Sequence, residues 1–175
     1  METVVRPLKT MFEVHQSLPE GTLAQLINNN LIMSPSPLDI HQKILDKINR
    51  KIGNFVEENN LGETRIAPYD VYFDEKNVFQ PDIVFVSNEN LHKIQVNGLH
   101  GAPDLVIEIL SPSNAKYDLS KKKAIYEKYG VKEYWIIEPT TKSVTGFSLV
   151  KDTYKEIEKS NAELSSHLLN ASFKF

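Results

Sequence analysis

The chain has 175 residues, 41% of them hydrophobic and 25% charged, which is the make-up of one ordinary globular domain over residues 1–175. It has no cysteine, which excludes a disulfide framework, a thiolate metal site and a cysteine nucleophile, and fits a reducing compartment, the cytoplasm. A formal net charge of −3 argues against coating nucleic acid by bulk electrostatics, residues 1–10 hold no signal-type apolar stretch, and no run approaches the ~18 apolar residues of a membrane helix.

In chain order, a short helix is predicted over 10–16, entered through Thr10. Segments 23–27 and 31–33 flank Asn28-Asn29-Asn30 and read as a small hairpin, after which Ser34-Pro35-Ser36-Pro37 breaks the chain. A long amphipathic helix over 38–59 follows, with Ile44, Leu45, Ile48, Ile52, Phe55 and Val56 at helical spacing and Gly62 as its C-terminal cap. Strands are expected over 65–73 and 78–86 with a turn at 74–77, then a polar connection over 88–101 and a third strand over 104–110, ended by Ser111-Pro112-Ser113. A helix over 119–129 has Asp118 as its N-cap and Gly130 just past its end. A fourth strand over 133–138 is closed by Pro139, and short strands over 144–150 and 154–157 complete the sheet. The expected class is α/β: helix, three strands, helix, strand, in one mixed sheet flanked by helices, with an N-terminal hairpin and a right-handed parallel crossover at the last strand–helix–strand step.

Three residues stand out for chemistry. Asp82 opens the apolar run Ile83-Val84-Phe85-Val86. In Asp104-Leu-Val-Ile-Glu108-Ile-Leu110, period two places Asp104, Val106, Glu108 and Leu110 on one face, and an unpaired Glu108 inside that strand would be costly. Lys122 falls within the stripe of Leu119, Ile125, Tyr126 and Tyr129, so one of three consecutive lysines aims at the sheet. Two or three carboxylates and one inward lysine suit a hard divalent cation such as Mg2+. Held by Asp82 and Glu108, it would polarise a phosphoryl oxygen while Lys122 assists the attacking water.

Each residue also has a plainer reading. Asp82 alone could be a turn cap, Asp104 could end the turn after Pro103, and Glu108 with Lys122 could be a buried structural ion pair. His41 shares the helical stripe of Ile44 and Leu45, where histidine usually packs or caps, but it could also line a site. Lys116, Lys121, Lys122, Lys123, Lys128 and Lys132, opposed only by Asp118 and Glu127, form a local basic patch that would suit a polyanion or simply a solvated helix face.

At these residues the sequence resembles the Uma-two family of restriction-endonuclease-like proteins, within the PD-(D/E)XK nuclease superfamily. The resemblance runs over residues 10–150. It is carried by Met33-Ser-Pro-Ser-Pro37 with His41-Gln42, by Gln80-Pro-Asp82-Ile-Val-Phe-Val-Ser87, and by Gly101-Ala-Pro-Asp104-Leu-Val-Ile-Glu108-Ile-Leu-Ser-Pro-Ser113. Tyr117-Asp118 with Lys122 and Tyr126, and Gly130-Val-Lys-Glu-Tyr-Trp-Ile-Ile-Glu-Pro139, complete the match. It implies an α-β-β-β-α-β core and a Mg2+- or Mn2+-dependent endodeoxyribonuclease, with Asp82 and Glu108 as metal ligands and Lys122 as the active-site lysine. His41 and Asp104 are secondary candidates. DNA is the implied partner, and a homodimer is expected from symmetry for a small protein touching both strands. Leu110 stands where the superfamily's usual lysine would be, so Lys122 must reach in from the helix. Asn30 stands where the family tends to carry an acid. The alternative reading is a catalytically weak nucleic-acid-binding relative.

Overall fold

The computed structural model describes residues 10–111 and 117–175, with side chains from residue 120 onward in the second stretch. Lys116 and the side chains of Asp118 and Leu119 lie outside the described residues. Helix α1 (Met11–Gln16) starts in a reciprocal capping box: Thr10 Oγ1 accepts from the Glu13 amide at 3.1 Å, and Glu13 Oε2 accepts from the Thr10 amide at 3.0 Å. Strands β1 (Ala24–Ile27) and β2 (Asn30–Met33) form the expected hairpin. Its turn residues Asn28 and Asn29 both take positive φ, 48° and 62°, which asparagine tolerates better than other side chains. Helix α2 (Asp39–Glu58) buries Ile44, Leu45, Ile48, Ile52 and Val56 along one stripe. Gly62 is not its cap. Asn60, at φ 51°, makes the left-handed turn, and Gly62 opens strand β3 (Gly62–Ile66) at φ 149°, where a Cβ would come within 2.1 Å of the Val86 carbonyl oxygen.

The two long strands expected after α2 are each broken. The first becomes β3 and β4 (Val71–Asp74), and the second becomes β5 (Asn77–Phe79) and β6 (Ile83–Ser87). The breaks fall at Pro68 and Pro81, which have no N–H to give a ladder. Each half then joins a different sheet, so the single sheet expected from the sequence is two. The connection over 88–101 is also structured, with a 3-10 turn (Asn88–Lys93) and a small hairpin of β7 (Ile94–Gln95) and β8 (Gly98–His100). Strand β9 (Leu105–Ile109), helix α3 (Tyr117–Tyr129) and strand β10 (Glu133–Ile137) follow, and β9 and β10 pair in parallel as expected. Strands β11 (Ser143–Val150) and β12 (Thr153–Asn161) extend that sheet. A last hairpin, β13 (Glu163–Ser166) and β14 (Ala171–Lys174), was not expected.

The result is a mixed α/β fold with two mixed six-stranded sheets, β2-β1-β5-β4-β8-β7 and β12-β11-β10-β9-β6-β3, and the separate C-terminal hairpin. Alternation along β6, β9 and β10 divides the core. Ile83, Phe85, Leu105, Ile107, Ile109, Trp135 and Ile137 pack against α2 and the C-terminal hairpin. Val84, Val86, Val106 and Tyr134 face the other way, against α3 and the first sheet. No helix among the described residues is long and apolar enough to cross a membrane.

Candidate active site

Strands β6 and β9 run antiparallel with Ile83 opposite Ile107, so Asp82 and Glu108 follow as the next opposed positions at the end of the ladder. There β6 stops at Pro81 and β9 is about to leave the sheet. Side chains from four elements meet at this edge around a cavity of about 660 Å3, lined by His41, Asp82, Glu108 and Lys122 among others.

Glu108 is buried, and two donors reach the same oxygen: Lys122 Nζ at 2.9 Å and the Tyr126 hydroxyl at 2.6 Å, both to Oε1. Among the described residues nothing donates to Oε2. Burial pushes the Glu108 carboxyl above its ordinary range; the Lys122 charge opposes this, and the Asp82 charge adds to it. Tyr126 is fully buried, and burial beside Glu108 holds its hydroxyl protonated far above neutrality, so it acts as a fixed donor. Helical spacing explains the arrangement: Lys122 and Tyr126 are four residues apart on one face of α3, above β9.

Asp82 is engaged from two sides. Its Oδ2 accepts from the Ile109 amide at 2.6 Å, and its Oδ1 lies 3.2 Å from His41 Nε2. For His41, burial works against the charged form. The hydrogen bond and charge of Asp82, with the Ile109 carbonyl and Glu108 charge behind them, outweigh it and raise the His41 pKa above its ordinary 6.5.

The structure thus brings together Asp82, Glu108, Lys122 and His41. It does not bring Asp104, which sits at the opposite end of β9, bonded to the Ser87 amide, Asn90 and Lys132. Asp104 therefore stands apart from the four residues that meet at the cavity. The basic patch is also revised. Lys123 lays its ammonium 3.6 Å from the centroid of the Phe147 ring, and Lys128 packs over Tyr129. The sequence reading took Tyr126 as plain core and missed its hydroxyl. It also missed Gln25 and Gln80, which line the cavity. Gln80 stands two residues before Asp82, which was the available signal.

The donor set suits a hard cation. Two carboxylates line one cavity, one with an oxygen that no described residue donates to, and Mg2+ or Mn2+ is commonly held by one or two carboxylates plus water. Among the described residues no three His, Asp or Glu side chains cluster tightly enough to hold a metal ion by themselves.

Comparison with known proteins defines the class. The crystal structure of a "putative nuclease belonging to DUF820" from Anabaena variabilis shares this fold, with a TM-score of 0.75 at 19% identity over 94% of this chain and 92% of that one. The family is shown by the sequence itself. Residues 12–174 match the Uma2 family, described as "Putative restriction endonuclease", and the chain belongs to it. No curated protein matches the chain.

Proposed function

We propose that this protein is a metal-dependent DNA endonuclease, a phosphodiester hydrolase on a restriction-endonuclease-like α-β-β-β-α-β core formed by one domain. The observation that carries this reading is the meeting of Asp82, Glu108 and Lys122 at one end of β6 and β9, on the wall of a ligand-sized cavity. Asp82 and Glu108 would hold Mg2+ or Mn2+. Bound there, the cation supplies Lewis-acid stabilisation of the charge that develops on the phosphoryl group. Lys122, held at 2.9 Å from Glu108, orients the attacking water and stabilises charge on a non-bridging oxygen. Water oxygen bonds to phosphorus and gives up a proton, one phosphorus–oxygen ester bond breaks, and the leaving oxygen ends with a proton, so that one water is consumed in net. His41 fixes the Asp82 carboxylate from the helix side. Cutting both strands of a duplex would use a second copy related by two-fold symmetry.

The test is a cleavage assay on plasmid and single-stranded DNA with Mn2+, run beside Asp82→Ala. Wild type should cleave and the variant should fall to background. Lys122→Met should fold, bind metal and lose cleavage, whereas Lys121→Met and Lys123→Met keep most of it. Equal rates for wild type and Lys122→Met would end the assignment.

One observation favours a second reading, a non-cleaving nucleic-acid-binding relative. Each carboxylate already has a partner, the Lys122 ammonium for Glu108 and the His41 imidazole for Asp82, which is charged when protonated, so both are engaged without metal. Melting with Mn2+ separates the two. A ligand at one hundred times its Kd adds ~2.7 kcal/mol to stability, and no shift would favour the paired, metal-free reading.

A further inference from the structure

The cavity is much larger than a hydrated cation and a phosphate need. Beside the charged groups, Leu23, Pro35, Pro37, Leu38, Leu45 and Pro68 give the same cavity an apolar wall. Its volume, about 660 Å3, falls in the range of pockets that enclose small organic ligands. Two amides on its lining have their orientation fixed by chemistry. Gln25 Oε1 accepts from the Gln80 backbone N–H at 3.1 Å, so the Gln25 oxygen faces that amide. Gln80 Nε2 donates to the Thr22 carbonyl at 3.1 Å and to Asp70 Oδ1 at 2.8 Å, so its nitrogen points there. The remaining atoms, the Gln25 Nε2 donor and the Gln80 Oε1 acceptor, have no partner among the described residues. The donor left on Gln25 and the acceptor left on Gln80 are the two roles that the polar edge of a nucleobase complements.

A regular duplex cannot use this wall. Its phosphates lie outside and its bases stay stacked within, so a scissile phosphate at Glu108 and Lys122 would leave the apolar side facing water. A base rotated out of the stack, or one in a single strand, would cover it. We propose that the cavity receives one unstacked nucleobase next to the scissile phosphate, its edge read by Gln25 and Gln80, so that the substrate is single-stranded or locally unpaired DNA. This rests on the nuclease reading above and names its substrate class.

The experiment measures binding to the full chain without metal, in EDTA and low salt. Three labelled duplexes are compared: fully paired, with one bulged nucleotide, and with the same bulge made abasic. The base-bearing bulge should bind about tenfold more tightly than either of the others. Gln25→Glu keeps an acceptor for the Gln80 N–H but removes the free donor. It should bring the ratio of base-bearing to abasic bulge close to one, a ratio in which its added charge cancels. Equal binding of the two bulges by wild type overturns the inference, as does a tenfold ratio untouched by Gln25→Glu. So does binding that vanishes as the chain self-associates, which would put a second copy in the cavity. Cleavage with Mn2+ is scored separately. A tenfold ratio without cleavage supports the base pocket and sinks the catalytic reading, whereas cleavage of all three duplexes with equal binding does the reverse.

Discussion

Strand β9 carries an acid at each end of the same face, and the two have opposite surroundings. Asp104 has every oxygen engaged: Oδ2 accepts from the Ser87 amide at 2.7 Å, Asn90 Nδ2 lies 2.9 Å from both oxygens, and Lys132 Nζ lies 2.7 Å from Oδ1. Burial alone would raise its pKa, but the bonds from Lys132, Ser87 and Asn90 outweigh burial and lower it. Glu108 lines a cavity, has two donors on one oxygen and, among the described residues, none on the other, and its pKa is raised chiefly by burial. A buried carboxylate whose lone pairs are all taken braces the fold. One left half-satisfied beside a cavity can bind something. The alternation that put both on one face could not separate these roles, because the difference lies in what other elements bring to each end.

The largest expected effect is at Glu108. Glu108→Ala strands the Lys122 ammonium, which is only 6% exposed, and breaking such a pair typically costs about 3–5 kcal/mol. Denaturant unfolding should show that loss, and Glu108→Ala with Lys122→Met should recover most of it while staying inactive. If the double variant is no more stable than the single one, the ion pair does not carry the site's structural cost.

At the other end, Asp104→Ala should cost about 1–3 kcal/mol, since it leaves the Ser87 amide and Asn90 without their acceptor while Lys132, with a side chain 49% exposed, turns to solvent. Cleavage per folded molecule should not change. Activity lost in proportion to that of Glu108→Ala would erase the distinction between the two acids.

The pH dependence sharpens the same contrast with a smaller effect. The folded-state pKa of Asp104 lies below its ordinary 3.8, so the folded protein binds fewer protons there than the unfolded chain. Its contribution is fully present above that ordinary value and is lost as pH falls through the folded value. The stability gap between wild type and Asp104→Asn should be constant at neutral pH and close in acid. A gap that widens in acid would mean that Asp104 is protonated in the native state.

Local pattern made much of this molecule legible. The α2 stripe, the β9 and β10 alternation, the Asn28-Asn29 turn and the inward direction of Lys122 all follow from period and turn chemistry within a few residues. What did not follow depends on distance along the chain. The strands expected over 65–73 and 78–86 ran through Pro68 and Pro81, and that each break there sends its halves to different sheets is set by tertiary packing. The His41–Asp82 pair joins residues 41 apart in sequence, with no local mark on either. The hairpin over 163–174 is polar along most of its length, and Leu164, Leu169 and Phe173 anchor it in the core with Ala171 packed against them. Glu133 is buried because the Trp135 indole, the Ser166 hydroxyl and the Leu168 amide converge on it, and two of those come from that unforeseen hairpin region.

The smallest effect is expected from the lysine beside Lys122. One residue along α3 rotates the side chain by ~100°, so Lys122 enters the site while Lys123 lies on the Phe147 ring, 3.6 Å from its centroid. A partly exposed cation over an aromatic face is worth about 0.5–1 kcal/mol. Lys123→Ala should therefore lower stability by no more than that. An ammonium held over a ring is also poorly free to follow a phosphate, so the slope of log affinity for DNA against log salt should stay within error of wild type. A lysine that releases a counterion on binding contributes about 0.9 to that slope on a duplex. A slope reduced by that amount in Lys123→Ala would return Lys123 to the nucleic-acid surface and separate the adjacent lysines by reach rather than by role.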